Sequence, residues 1–417
     1  MRTLTRDMLM VVAVVVTGAG TARAQSPVVA PDGLSIEALV AMAMDRAPMI
    51  SAASARIQVA EGDRRQASLR PNPIAGADRR EQFGGADTQT TFGLTVPLDL
   101  FRRNARVAVA DHDVVRATAL ADLERINRAA MVRISAADLL AAVRQLGVVK
   151  QVAQAARTRL DMLRARVDSG AGTPLDRDLA DVEWQRADAE ALRWQGEVDA
   201  AMATLKSAVG WPIHEPLHLA ASLDDAIDGL PALPSSPSAS AVEVRPDVRA
   251  AAAMIGRADA MQHLARREGR LDVGVTGAYM WRTIGRERMN EVMVGVMVDL
   301  PWRNRQQGAI AAAAAEGSAA RFEIAAVRLD AEAEMAAALA RDSAASATVQ
   351  RYRTGLVGLA AKNLEVVRER WALGQGTLFD VIEEERRYLD LQLEFTTALR
   401  EWYDARATVL RAWGGQS

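Results

Sequence analysis

Among the residues whose types could do chemistry with a charged solute are carboxylates, and two of them, Asp176 and Asp380, hold one place in a motif that occurs twice. Residues 166–176 read RVDSGAGTPLD and residues 370–380 read RWALGQGTLFD. They share R-x-x-x-G-x-G-T-x-x-D at an offset of 204 residues, Gly170 to Gly374. Carboxylates can hold cations, yet the motif also has a full local explanation. Gly170 and Gly374 suit the left-handed conformation that ends a helix. Thr173 and Thr377 suit the cap of the next helix, Pro174 its first turn, and Asp176 and Asp380 the third position of a capping box. Glu383, Glu384 and Glu385, followed by Arg386 and Arg387, can pair along a solvated helix face.

Other reactive constellations fail on spacing. Of the four histidines, His112, His214, His218 and His263, only His214 and His218 are close, and Pro216 between them prevents a shared helical face. No metal site is therefore expected, and no cofactor. There is no phosphate loop, nucleophile elbow or H-E-x-x-H, and the Gly-x-Gly of the turns follows helices rather than strands. The chain is not expected to be an enzyme. With no cysteine, it is expected to carry no disulfide, no thiolate site and no acylated N-terminal Cys. A net charge of −2 offers no electrostatic reason for a nucleic-acid partner.

The elements that hold the turns are long. Leu146, Val149, Ala153, Ala156, Leu160, Leu163 and Val167 recur at spacings of three and four, as do Tyr388, Leu391, Phe395, Ala398 and Trp402. Helical pattern covers residues 35–69, 102–167 and 174–209, then 246–267, 303–371 and 378–413. At about 1.5 Å per residue the longest reach roughly 100 Å. Two short helices stacked end to end against one long helix, twice over, give a rod with the repeated turns at one end.

At the other end each half changes to a period of two. Residues 74–83 and Thr90–Val96 form one expected hairpin, after a helix stop at Pro71 and Pro73; Leu271–Trp281 and Val292–Val298 form the other. Arg79, Arg80 and Glu81 blur the alternation of the first strand. Strands of about ten residues with one apolar face suit a transmembrane barrel, but four are too few to close one, since the smallest have about eight. Copies of the chain would have to complete it. At 25% charged residues the chain does not read as a membrane protein of helical-bundle type.

The expected layout is a signal peptide at 1–24, a first repeat at 25–211, a Pro- and Ser-rich linker at 212–243 and a second repeat at 244–417. Arg2 and Arg6 precede an apolar run from Met8 to Val16, and Ala22-Arg23-Ala24 supplies the small residues of a cleavage site before Gln25.

Together, the export signal, the two helix–hairpin–long helix–helix repeats and the G-x-G-T-x-x-D turns resemble the TolC-like outer-membrane efflux proteins. Pro71-Asn72-Pro73, the VPLDLF of residues 96–101 and Arg245-Pro246-Asp247 look like that family's short motifs. The PLDLFRRN of residues 97–104 is most similar to its cobalt–zinc–cadmium type. The resemblance covers essentially the whole mature chain. It implies a mainly α fold with a transmembrane β-barrel part: a long α-helical barrel plus four β-strands per chain, completed as a 12-stranded barrel in a homotrimer. It further implies an outer-membrane location with a tunnel into the periplasm, and a periplasmic adaptor and an inner-membrane pump of the resistance–nodulation–division class as partners. The chain would then be a passive exit duct in contact with outer-membrane lipid, its cargo heavy-metal cations. Asp380, Glu383 and Asp176 match the places of carboxylates at the closed entrance, where a trimer makes rings of three. Arg166, Gly170, Gly172, Thr173, Arg370, Gly374, Gly376 and Thr377 would form the adaptor-docking tip. A duct of the same fold for drugs or proteins, and a soluble periplasmic coiled-coil adaptor, are the alternatives; an adaptor does not need the paired hairpins.

Overall fold

The computed structural model describes residues 28–85, 87–229, 233 and 239–414; the expected signal segment lies outside them. In chain order the elements are β1 (Val29–Leu34), α1 (Ile36–Arg46), α2 (Pro48–Ser68), β2 (Ile74–Glu81), β3 (Thr88–Pro97), α3 (Arg103–Asp168), α4 (Pro174–Val209), α5 (Leu223–Asp228), α6 (Ala239–Val244), α7 (Pro246–Glu268), β4 (Asp272–Ile284), β5 (Glu287–Asp299), α8 (Gln307–Arg351), α9 (Val357–Ala372) and α10 (Leu378–Ala412). One π-helical turn, Tyr352–Leu356, joins α8 to α9 without breaking the rod. The molecule is mainly helical, with one four-stranded antiparallel sheet at an end.

Proline and glycine punctuate the rod. Pro48, Pro174 and Pro246 open α2, α4 and α7, where a missing N–H costs nothing and the fixed φ already suits a helix. Pro48 also splits the expected first helix in two, leaving Ala47 extended between α1 and α2. The helix α3 is 66 residues long, about 100 Å. Its ends and those of the α8–α9 rod are offset by the same interval as the repeated motif, so the sequence repeat is a structural one.

Packing follows the alanine seams. The helix α3 is the hub: it meets α2 and α4 of its own repeat and α7 and α10 of the other. Around mid-length the largest cluster buries Leu39, Leu139, Leu140, Leu205 and Leu399 almost completely. Fully burying such a leucine contributes about 1.5–3 kcal/mol. Segment 212–243 does more than connect. Leu217, Leu219, Leu223 and Ile227 enter the same cluster, and β1 bridges to Leu219. Asp224 of α5 meets both Arg144 of α3 and Arg353 of the π turn, the latter at 3.5 Å. The segment thus belts the rod and ties the two long helices together.

The two expected hairpins form one sheet in the order β2-β3-β4-β5. Strands β3 and β4 pair antiparallel from Thr88↔Thr283 to Pro97↔Gly274, joining the repeats. Strand β2 pairs with β3 over its whole length despite its charged stretch, so alternation was a poor guide to pairing there.

Candidate functional site

Two regions, one at each end of the rod, carry the candidate functional residues, and their chemistry differs. At the sheet end, register decides which side chains share a face. Phe92 sits opposite Ala77 and Tyr279, and Tyr279 opposite Val292. Leu94 aligns with Gly277 and Val294, and Val96 with Val275 and Val296. One face is therefore apolar over the part of the sheet nearer the helices and uncovered, with Val294 78% exposed, while Arg79 and Asn290 lie on it towards the loops. The opposite face carries small, hydroxylic and thioether side chains: Gly93, Thr95 and Thr276, Met293 and Met297. Thr95 and Thr276 hydroxyls lie 3.4 Å apart across the β3–β4 seam.

Aromatic rings mark both ends of that apolar face. Phe92 and Trp281 rings are 5.2 Å apart, and Tyr279 and Trp281 rings 5.9 Å. At the helix-side end stand exposed Phe101 and Trp302. An apolar band between two aromatic girdles is the pattern of a strand surface facing lipid. Both outer strands, β2 and β5, leave a row of backbone donors and acceptors unpaired within the chain. No helix among the described residues is long and apolar enough to cross a membrane.

At the far end, the duplicated turns are helix stops of one design. Gly170 (φ 74°) and Gly374 (φ 75°) adopt the left-handed conformation. Ala171 N–H donates to the Arg166 carbonyl at 2.8 Å and Gln375 N–H to that of Arg370 at 2.9 Å. Gly170 and Gly374 N–H groups reach Val167 and Trp371, completing two Schellman motifs. The next helix is capped at once. Asp176 and Asp380 N–H groups donate to the Thr173 and Thr377 hydroxyls, each at 3.2 Å. In the second repeat Thr377 N–H also donates to the Asp380 carboxylate at 2.9 Å, a full capping box. In the first, the Thr173 hydroxyl donates to Asp176 at 2.7 Å instead.

The turns sit side by side, because Leu160, Leu163 and Ala180 of the first repeat and Leu378 and Ile382 of the second form one apolar cluster. This brings Arg166, Gly170, Gly172 and Thr173 to the same end as Arg370, Gly374, Gly376 and Thr377. Arg166, Arg370 and Asp380 are exposed there; Asp176 and Glu383 are half-buried. The hydrogen bond from Thr377 N–H, aided by its hydroxyl and by the charge of Arg370, holds the Asp380 carboxyl below the usual range. Glu383 pairs with Arg387 at 3.5 Å.

The three consecutive glutamates have two different fates, and one of them escapes a sequence reading. Glu384 pairs with Arg387, whereas Glu385 is buried between Arg159 of α3 and Arg368 of α9. The signal was its place on the inward stripe Leu378, Ile382, Glu385, Gln392, Leu399 of α10, masked by the run of like charges. No cluster of three metal-binding side chains occurs among the described residues.

The chain is similar to known outer-membrane efflux proteins in sequence and to solved outer-membrane channels in fold. Residues 39–211 match the family model for outer membrane efflux proteins. The chain is 24% identical to the cobalt-zinc-cadmium resistance protein CzcC of Cupriavidus metallidurans over 91% of its length and 90% of that protein's. It is 25% identical to the nickel-cobalt-cadmium resistance protein NccC of Alcaligenes xylosoxydans xylosoxydans, over 73% and 68% respectively. Its fold matches a solved structure of CusC, in work on transmembrane channel formation, with a TM-score of 0.77 over 92% of each chain at 15% identity.

Proposed function

We propose that the chain, which is similar to the outer membrane efflux proteins over residues 39–211 and to two metal-resistance proteins over most of its length, is the exit duct of a tripartite efflux system that passes heavy-metal cations out of a Gram-negative cell. A sheet with one apolar face and two open edges carries this reading. Joining β5 of one copy to β2 of the next satisfies both edges, and three copies give twelve strands, enough for a closed barrel. The helices of the three copies then continue that barrel as a tunnel into the periplasm, with repeats 25–211 and 244–417 joined by 212–243 behind a cleaved segment 1–24. Exposed apolar side chains along the second long helix, such as Phe322 at 79% exposure and Leu329, support a neighbour on that side.

The turns at the far end then form the entrance and the docking tip. Three copies of Asp380 and Glu383, with Asp176 nearby, make carboxylate rings that favour cations. The surrounding turns, with exposed Arg166 and Arg370, offer a polar surface to an adaptor that leads to an inner-membrane pump. Metal cargo is favoured by the two relatives named for cobalt, nickel, zinc and cadmium resistance. The duct performs no bond chemistry; selection of the ion falls to the pump.

Fractionation and metal challenge test this directly. The expected outcome is a detergent-extracted trimer from the outer membrane, and a deletion strain that loses tolerance to cobalt, zinc or cadmium salts. Recovery as a soluble periplasmic monomer would reject the duct. A strain sensitive only to amphiphilic drugs would keep the duct and reject the cargo.

A further inference from the structure

We propose that the junction between sheet and helices holds an anionic glycerophospholipid of the leaflet on the tunnel side, its phosphate on Arg270 and Arg305 and its acyl chains against Phe101 and Trp302. The proposal rests on the membrane placement of the sheet given above.

A cavity of about 630 Å³ opens at this junction, lined by Phe101, Leu271, Leu300 and Trp302 together with Arg270 and Arg305. It lies immediately below Val273 and Val298, the last pair of the apolar sheet face. That is the depth at which acyl chains give way to headgroups. Trp302 is 83% exposed and Leu300 71%. Side chains this apolar, left open at the rim of a lipid-facing band, are placed to meet lipid rather than water.

The charges nearby divide into two classes. Arg102 pairs with Asp272 at 3.4 Å, and Arg106 with Asp99 at 2.7 Å. Neither Arg270 nor Arg305 has a carboxylate within ion-pair distance among the described residues. Among the described residues the Arg305 side chain makes only a long bond to the Pro301 carbonyl, at 3.4 Å. Their proximity is built into the backbone. A Cβ on Gly269 would come within 2.4 Å of the Arg305 carbonyl oxygen, so glycine is what allows the end of α7 and the loop after β5 to touch. Two uncompensated guanidiniums beside an open apolar hollow fit an anionic amphiphile. Guanidinium also matches the geometry of phosphate oxygens, which it can bind in a bidentate manner.

Brominated lipids test this on the intact assembly, because bromine quenches nearby tryptophan. The protein is reconstituted in phosphatidylcholine nanodiscs containing increasing fractions of brominated phosphatidylglycerol or brominated phosphatidylcholine. The contribution of Trp302 is isolated by difference against Trp302→Phe. Phosphatidylglycerol is expected to quench Trp302 at an about tenfold lower fraction, in keeping with two arginines near a lipid surface. Arg270→Gln with Arg305→Gln is expected to bring the two curves together, while the paired Arg→Lys changes keep part of the preference. Coincident curves in the unmodified protein would overturn the proposal, as would a preference that survives the glutamine changes. Loss of the preference in excess inorganic phosphate would assign a free-anion site instead. If neither lipid quenched Trp302, the membrane placement would fall with it.

Discussion

Arg159 of α3 and Glu385 of α10 form a buried ion pair between residues 226 apart in sequence, and Arg368 of α9 donates to the same carboxylate oxygen at 2.7 Å. One carboxylate thereby fastens the long helix of the first repeat to the helices of the second, just above the apolar cluster of the turns. The pair is costly to desolvate, so its presence specifies how the helices meet more than it adds stability.

Removing only the carboxylate leaves Arg159 buried without its counter-charge. Glu385→Ala is therefore expected to destabilise the far end by about 3 kcal/mol, whereas Arg159→Met with Glu385→Leu stays near neutral. Amide hydrogen exchange in α9 and α10 provides the measurement. Equal protection loss in the single and double variants would show that the ion pair does not set the packing.

The duplicated turns differ in one respect that separates their glycines. A Cβ on Gly172 would lie 3.1 Å from the Val167 nitrogen and 3.2 Å from the Arg166 carbonyl carbon, both backbone. On Gly376 it would meet nothing nearer than 3.7 Å. Gly172→Ala is expected to loosen the first turn, and Gly376→Ala to be tolerated. Limited proteolysis at the two turns distinguishes them, and equal cleavage in both variants would contradict this reading.

Much of the rod was legible because its signals are local. Each glycine, threonine and proline of the turns acts within a few residues, and the alanine and leucine seam reports its own helix. Strand alternation worked for β3 to β5, where one face is apolar. It was blurred in β2, whose residues are exposed on both faces and whose place depends on β3. The β3–β4 seam and the belt of Asp224 between Arg144 and Arg353 join residues far apart in sequence, so spacing within one segment could not reveal them. Glu385 was hidden for a different reason: among like charges its inward stripe was read as a solvated face.

Asp404 of α10 supplies a pH dependence. Burial, reinforced by the nearby Asp138 charge and only partly opposed by Arg400, pushes its carboxyl up to about 6. Its Oδ1 has no hydrogen-bond partner among the described residues. A carboxyl raised in the folded state holds its proton there while the unfolded chain has lost it. Stability is therefore expected to fall as pH rises from about 4 to 6, by on the order of 2 kcal/mol. Asp404→Asn should flatten that slope and raise the midpoint of thermal dissociation above pH 6. An unchanged slope would mean another group titrates in the window.

The carboxylates at the proposed entrance predict an electrical phenotype. Asp380 is exposed, and its capping bonds from Thr377 lower its pKa, so it keeps its charge at a lower pH than a free aspartate. Three copies around one opening concentrate that charge where solvent screening is least complete. Asp380→Asn retains an oxygen able to accept from Thr377 N–H, so the turn is preserved while the charge is lost. Together with Glu383→Gln, it is expected to shift the reversal potential in planar bilayers under a potassium chloride gradient towards weaker cation preference, with Asp176→Asn producing a smaller shift. Protonation should mimic the change only well below the ordinary aspartate range, since the lowered pKa delays it. A reversal potential unmoved by all three substitutions would place the selective part of the duct elsewhere.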